Sequence, residues 1–286
     1  MFYQAGAVEL KEQVESCFQG PGGPGRLPTV NPQGARNVVG LVCPHAGYMY
    51  SGGVAAWAYD SLAEDGLPEV AVLIGPNHRS YFPAVALSDE RAWSTPLGEV
   101  ALDAEIATKI ASLYPGAEVN PDAHSAEHSI EVQIPFMQYI YDDAGISLSI
   151  VPILVGASAW SAAADDAAQV ARGLGGAIAK ALGGKDAVVI ASTDFTHYES
   201  GETARSKDSQ AISKILTLDE EGLLGTVASL DISMCGAFPT AVTIAACREL
   251  GAVSARQLTY GNSGDVTGDY AEVVGYGALE IVKQEA

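Results

Sequence analysis

Short apolar runs alternate with longer stretches of helical periodicity along this chain. Five runs read as buried strands, at residues 37–42, 70–74, 84–87, 148–154 and 187–191. A sixth, at 272–282, alternates less cleanly. Helical patterns fall at 51–64, 102–113, 128–142, 161–182, 203–216 and 238–249. Strands interleaved with helices predict an α/β domain built on a central, mostly parallel or mixed sheet flanked by helices. Residues 20–25, Gly-Pro-Gly-Gly-Pro-Gly, break regular structure and predict a surface loop. No Gly-Lys-Ser/Thr follows them, so they are not a phosphate-binding loop. No internal repeat stands out, and the Ala-rich stretch 157–181 reads as a strong helix former. Residues 1–286 are therefore read as one domain.

Composition narrows the function. The 286 residues are 48% hydrophobic, enough apolar material for an ordered core. Acidic residues outnumber basic ones 35 to 15, for a net charge of −20. That balance argues against a nucleic-acid partner, whose phosphates need Lys and Arg, and against an anionic membrane surface. The uncharged stretch 144–164 is long enough to span a bilayer, but Gly145, Pro152, Gly156 and its serines fit a strand, a loop and a helix start better. The N-terminal residues lack a basic segment followed by an apolar one, so no secretory signal is expected. Cys17, Cys43, Cys235 and Cys247 are widely spaced and form no C-x-x-C pair, which makes a reducing cytoplasm the expected compartment.

The five histidines are placed informatively. His45 follows the first apolar run in Pro44-His45-Ala46-Gly47-Tyr48, and His78 follows the second in Gly75-Pro76-Asn77-His78-Arg79. Asp194 and His197 follow the run at 187–191. If these strands run parallel, their C-terminal ends share the sheet edge where α/β folds bind ligands. Any one loop histidine can simply be solvated; a set at equivalent strand ends predicts a metal or catalytic site. Asp194 could orient the imidazole of His197 or cap the following turn. Tyr48, Tyr50 and Tyr198 flank the same motifs, and Arg79 could hold a carboxylate or pair at the surface.

Two further features need weighing. His124-Ser125-Ala126-Glu127-His128 formally matches the inverted zinc-peptidase signature. That match requires a helix starting before His124, whereas Pro121 and Ser125 look like helix entry, so His128 is read instead as a site-lining acid/base residue. Cys235 lies just before an apolar helix, where the macrodipole favours the thiolate, the form that binds metals. Cys43 and Cys247 read as packed thiols.

Together the motifs resemble the Memo-like protein family, called AmmeMemoRadiSam system protein B in prokaryotes. They are Pro44-His45-Ala46-Gly47-Tyr48-Met49-Tyr50-Ser51-Gly52, Gly75-Pro76-Asn77-His78, Glu127-His128-Ser129-Ile130-Glu131, Ser192-Thr193-Asp194-Phe195-Thr196-His197-Tyr198 and Cys235-Gly236. The resemblance implies a fold similar to class III extradiol dioxygenases, non-haem iron enzymes. It places metal ligands at His45, His78 and Cys235, with His128, Asp194 and His197 around the pocket as acid/base residues. A cysteine where the dioxygenases carry a carboxylate is a softer ligand, so copper and zinc are admitted beside iron(II).

The expected function is thus metal-dependent oxidoreduction of a small-molecule substrate, the Tyr and Phe residues beside the motifs suiting an aromatic one, with AMMECR1-like and radical SAM proteins as partners by family resemblance. Rival readings are a non-catalytic module binding a peptide or ligand in a vestigial dioxygenase pocket, and metal-assisted hydrolysis with tightly held zinc.

Overall fold

The computed structural model describes residues 2–79, 84–142, 144–156 and 164–284. Its elements in chain order are α1 (Ala7–Gln19), β1 (Val38–Cys43), α2 (Tyr48–Asp65), β2 (Val70–Pro76), β3 (Val85–Leu87), β4 (Ala92–Thr95), β5 (Gly98–Leu102), α3 (Ala104–Leu113) and β6 (Ala117–Val119). There follow α4 (Ile134–Tyr141), β7 (Ser149–Val155), α5 (Ala164–Leu182), β8 (Ala187–Ser192), β9 (His197–Glu199), α6 (Gly201–Leu216), α7 (Glu220–Ser229), α8 (Ala237–Glu249), β10 (Ser254–Asn262), α9 (Gly264–Thr267) and β11 (Val273–Val282).

One mixed sheet organises these elements, in the order β10-β11-β1-β8-β2-β7-β3-β6. Its centre is parallel: β1 pairs with β8, β8 with β2, and β2 with β7 in that sense. β11 continues one side antiparallel to β1, with β10 beyond it, and β3 continues the other antiparallel to β7, with β6 beyond it. The central strands are buried along their whole length because helices cover both faces. Side chains alternate between two apolar layers. In β2, Val70, Val72 and Ile74 join the layer under α5 and α8, while Ala71 and Leu73 join the layer under α1, α2 and α4.

The α/β fold and the mixed sheet expected from sequence are present, and five of the six helical patterns coincide with helices within a few residues. Residues 161–163 of the fourth pattern lie outside the described residues. The pattern at 128–142 is corrected. The α-helix begins only at Ile134, after 3-10 turns at Pro121–His124 and Glu131–Gln133. Glu127 is the reason: its Oε1 accepts the main-chain N–H groups of His128 and Ser129, folding the chain around a carboxylate. Ser129 Oγ donates to the Pro76 carbonyl, docking this loop on the end of β2. No helix among the described residues is long and apolar enough to cross a membrane.

Candidate metal centre

The parallel strands β1, β8 and β2 end side by side, so the residues just after them share one rim. His45 comes two residues after β1 and is 2% exposed. Its main-chain N–H donates to Asp194 Oδ1 at 2.8 Å, tying the end of β1 to the loop after β8. His78 comes two residues after β2, and its N–H donates to Glu127 Oε2 at 2.6 Å. His128 arrives on the Glu127 loop. The imidazole centroids of His45, His78 and His128 stand 5.2 to 5.5 Å apart in pairs. One nitrogen from each lies within 4.8 Å of the others, a group that could hold a metal ion.

Hydrogen bonding sets which nitrogens face inward. Ser192 Oγ donates its only proton to the Ser129 carbonyl at 2.5 Å and accepts from Gln133 Nε2 at 2.8 Å. It can therefore only accept from His45 Nδ1, 3.0 Å away. His45 Nδ1 carries the proton and Nε2 presents a lone pair. The same logic fixes His78, whose Nδ1 lies 3.0 Å from Glu127 Oε1. A carboxylate can only accept, so His78 Nε2 is also a free lone pair. Imidazoles held in this way by a carboxylate or hydroxyl on the far nitrogen are the usual arrangement of metal-ligating histidine.

Cys235 completes the rim. Its Sγ lies 3.2 Å from His45 Nε2, accepts from the Asp194 N–H at 3.3 Å, and sits just before α8, partly buried. Two ligands with bonds of about 2.1 and 2.3 Å to a shared ion would stand about 3.1 to 3.6 Å apart, so the His45–Cys235 spacing fits a common metal. Among the described residues, the group with mutually close donor atoms is nevertheless His45, His78 and His128, so His128 joins the candidate ligands.

The electrostatics follow from burial. Desolvation lowers the His45 imidazole to about 4, against an opposing pull from Asp194, and so keeps it neutral. Burial and the Asp194 carboxylate push the Cys235 thiol up, against opposing main-chain hydrogen bonds. Burial alone would raise Glu127, but hydrogen bonds from His128, His78 and the Ser129 N–H outweigh it and hold the carboxyl well below the usual carboxylate range.

Other expected residues land differently. Asp194 holds the His45 main chain, whereas His197 Nδ1 lies 2.9 Å from the Ser233 carbonyl and its ring lies against Tyr198. Asp194 thus positions His45, and His197 is held by the Ser233 loop. His124 ends its 3-10 turn against Trp93, so it does not share an α-helix with His128 as the peptidase signature requires. Tyr48 is buried, its hydroxyl donating to the Val132 carbonyl at 2.6 Å, whereas Tyr198 is exposed. Three contributors had no assigned role in the sequence reading. Glu127 and Ser192 lie inside quoted motifs, and their position beside His128 and Asp194 was the available signal. Phe2, whose ring stacks on His128 at 4.0 Å and 10°, carries no such signal.

A parallel-centred α/β sheet with an imidazole-rich cluster at its C-terminal edge, one that could hold a metal ion, defines the class of fold and site. Within that class, the chain belongs to the Memo-like protein family, whose model matches residues 1–280. It is 45% identical over 280 residues to a MEMO1 family protein of Methanopyrus kandleri, covering 97% of this chain and 95% of that one. It is 43% identical over 278 residues to a MEMO1 family protein of Methanothermobacter thermautotrophicus, covering 97% and 96% respectively. Among solved structures, an uncharacterised protein from Escherichia coli K12 shares the fold at a TM-score of 0.53. Its sequence identity is 13%, over 85% of this chain and 99% of that one.

Proposed function

We propose that this chain is a metal-dependent oxidoreductase for a small organic substrate, with His45, His78 and Cys235 as ligands and iron(II) as the first-choice metal. The observation that carries this reading is the pair of anchored imidazoles: Ser192 and Glu127 hold the Nδ1 protons of His45 and His78, which leaves both Nε2 lone pairs available, that of His45 3.2 Å from the Cys235 sulfur. Copper and zinc satisfy the same nitrogen and sulfur donors. Bound there, a redox metal would supply electron transfer between an oxidisable substrate and oxygen.

The remaining residues orient and handle protons. Asp194 fixes the turn that presents His45. His128 stands at the mouth, with Nδ1 3.2 Å from Glu127 Oε1, and can carry a proton at Nε2. Phe2 covers one face of that ring.

The test is oxygen uptake by protein reconstituted anaerobically with iron(II) and then given a panel of oxidisable phenols. Uptake that depends on iron and is lost in His78→Ala supports the proposal. Full iron loading with no uptake, and phenols recovered unchanged, would favour a ligand-binding module.

A further inference from the structure

Behind the His45 imidazole runs a buried polar chain. Ser192 Oγ, which accepts from His45 Nδ1, also accepts from Gln133 Nε2 at 2.8 Å. The other Nε2 proton of Gln133 goes to the Pro44 carbonyl at 2.9 Å. Both protons of one amide thus converge on His45, one on the peptide before it and one on the hydroxyl that holds its ring. The amide oxygen is pinned in turn. Tyr59, fully buried on α2, donates its hydroxyl to Gln133 Oε1 at 2.7 Å.

Packing leaves this chain one arrangement. The Tyr59 ring stacks on Phe136 of α4 at 5.1 Å and 3°, and Gln133 ends the 3-10 turn that leads into α4. Turning the amide over would set Oε1 against the Pro44 carbonyl, so only the orientation with Tyr59 donating satisfies every member. A buried amide and hydroxyl paired in this way gain little net stability over apolar side chains of the same shape. What the chain adds is direction.

We infer that Tyr59 and Gln133 are positioning residues that act through Ser192 to hold His45 as the Nδ1–H tautomer, with Nε2 free for a metal. This rests on His45 serving as a ligand in the proposed site. Gln133 fills one lone pair of Ser192 Oγ and the Ser129 carbonyl takes its proton, so the remaining lone pair faces the His45 Nδ1 proton. Without Gln133 the hydroxyl is free to turn its proton to Nδ1, which moves the imidazole proton to Nε2 and covers the lone pair a metal needs. Without the Tyr59 hydroxyl, Gln133 Oε1 is buried unpaired and the amide loses its anchor.

The test sets Tyr59→Phe and Gln133→Leu, singly and together, beside Tyr141→Phe. Tyr141 is another buried tyrosine, whose hydroxyl donates to the Pro68 carbonyl at 2.5 Å, at the end of β2 away from His78. Histidine ring-nitrogen NMR is read on the metal-free full chain at neutral pH, and zinc affinity is measured by chelator competition. His45 is expected as the Nδ1–H tautomer in wild type and Tyr141→Phe, and as a mixture in Tyr59→Phe and Gln133→Leu. His78, which Glu127 holds, should stay unchanged throughout. Zinc affinity should fall about 3- to 10-fold in Tyr59→Phe and about 10- to 100-fold in Gln133→Leu, and stay at the wild-type value in Tyr141→Phe. The double variant leaves neither the hydroxyl nor the amide oxygen unpaired, so it should regain part of the stability lost by each single change, read as urea midpoint, yet bind zinc as weakly as Gln133→Leu. Stability and affinity that fall and recover together would mark a purely structural role and overturn the inference. So would a His45 tautomer unmoved by Gln133→Leu. Wild-type protein whose His45 tautomer depends on the chain but which takes no zinc would instead sink the metal reading and leave the positioning chain standing.

Discussion

Glu127 shows how much of this centre depends on one side chain. Its two oxygens accept from His78 N–H, His78 Nδ1 and the His128 and Ser129 main-chain N–H groups, in a position that is 6% exposed. Glu127→Gln replaces an acceptor-only group with one that carries an NH2, so at least one of these donors faces another donor. Metal affinity is expected to fall about 10- to 100-fold, measured by chelator competition; a change within about twofold would contradict the role assigned. A second residue prediction separates the two candidate ligand sets. Because burial pushes the Cys235 thiol up, its recruitment must release a proton, and apparent affinity should rise about tenfold per pH unit between about pH 7 and 9. Cys235→Ala should flatten that slope. A flat wild-type profile would instead favour three neutral imidazoles as the ligands. His45, His78, Asp194 and Cys235 were legible in sequence because each lies at a strand or helix boundary. Glu127 and Ser192 were not, because their roles come from where the fold brings their partners.

At the scale of elements, the strands work as rulers, and small residues set how closely their ends approach the loops. A Cβ on Gly236 would lie 2.4 Å from Thr193 Cβ and 2.6 Å from the Ser192 carbonyl, so the cysteine loop packs on the end of β8 only because that Cβ is missing. Gly236→Ala should cost about 1 to 3 kcal/mol by overpacking and weaken metal binding by displacing Cys235. Gly225→Ala, in α7 where a Cβ meets nothing within 4 Å, should be neutral or stabilise by up to about 1 kcal/mol. Denaturant unfolding of both variants checks the contrast, and equal behaviour would refute it. The same distinction between covered and open surface explains which elements the sequence pattern revealed. β1, β2, β7 and β8 are buried on both faces, or nearly so, and read as unbroken apolar runs. β4, β5 and β10 are partly exposed and carry mixed patterns, so the chain gives no run to recognise. α1 hides its buried stripe of Leu10, Val14, Cys17 and Phe18 among charged neighbours.

For the molecule as a whole, burying neutral histidine makes stability depend on pH. An unfolded imidazole takes its proton near about 6.5, whereas His124 in the fold resists until about 4. Between those values the unfolded chain binds the extra proton, so stability falls as pH drops through that window. The expected loss from His124 is about 3 kcal/mol at most. His124→Gln should flatten the profile between about pH 6.5 and 4, read by urea midpoints across pH, and parallel profiles for the two proteins would show that His124 is not the source of the dependence. The whole sheet, with its parallel centre and shared rim, brings together the donors proposed to hold a metal. The most direct measurement is metal analysis of protein purified without oxygen, beside His78→Ala and Cys235→Ala prepared identically. About one iron per wild-type chain is expected, lost in both variants. Folded wild-type protein that stays free of metal after reconstitution would rule out a metal centre at this rim.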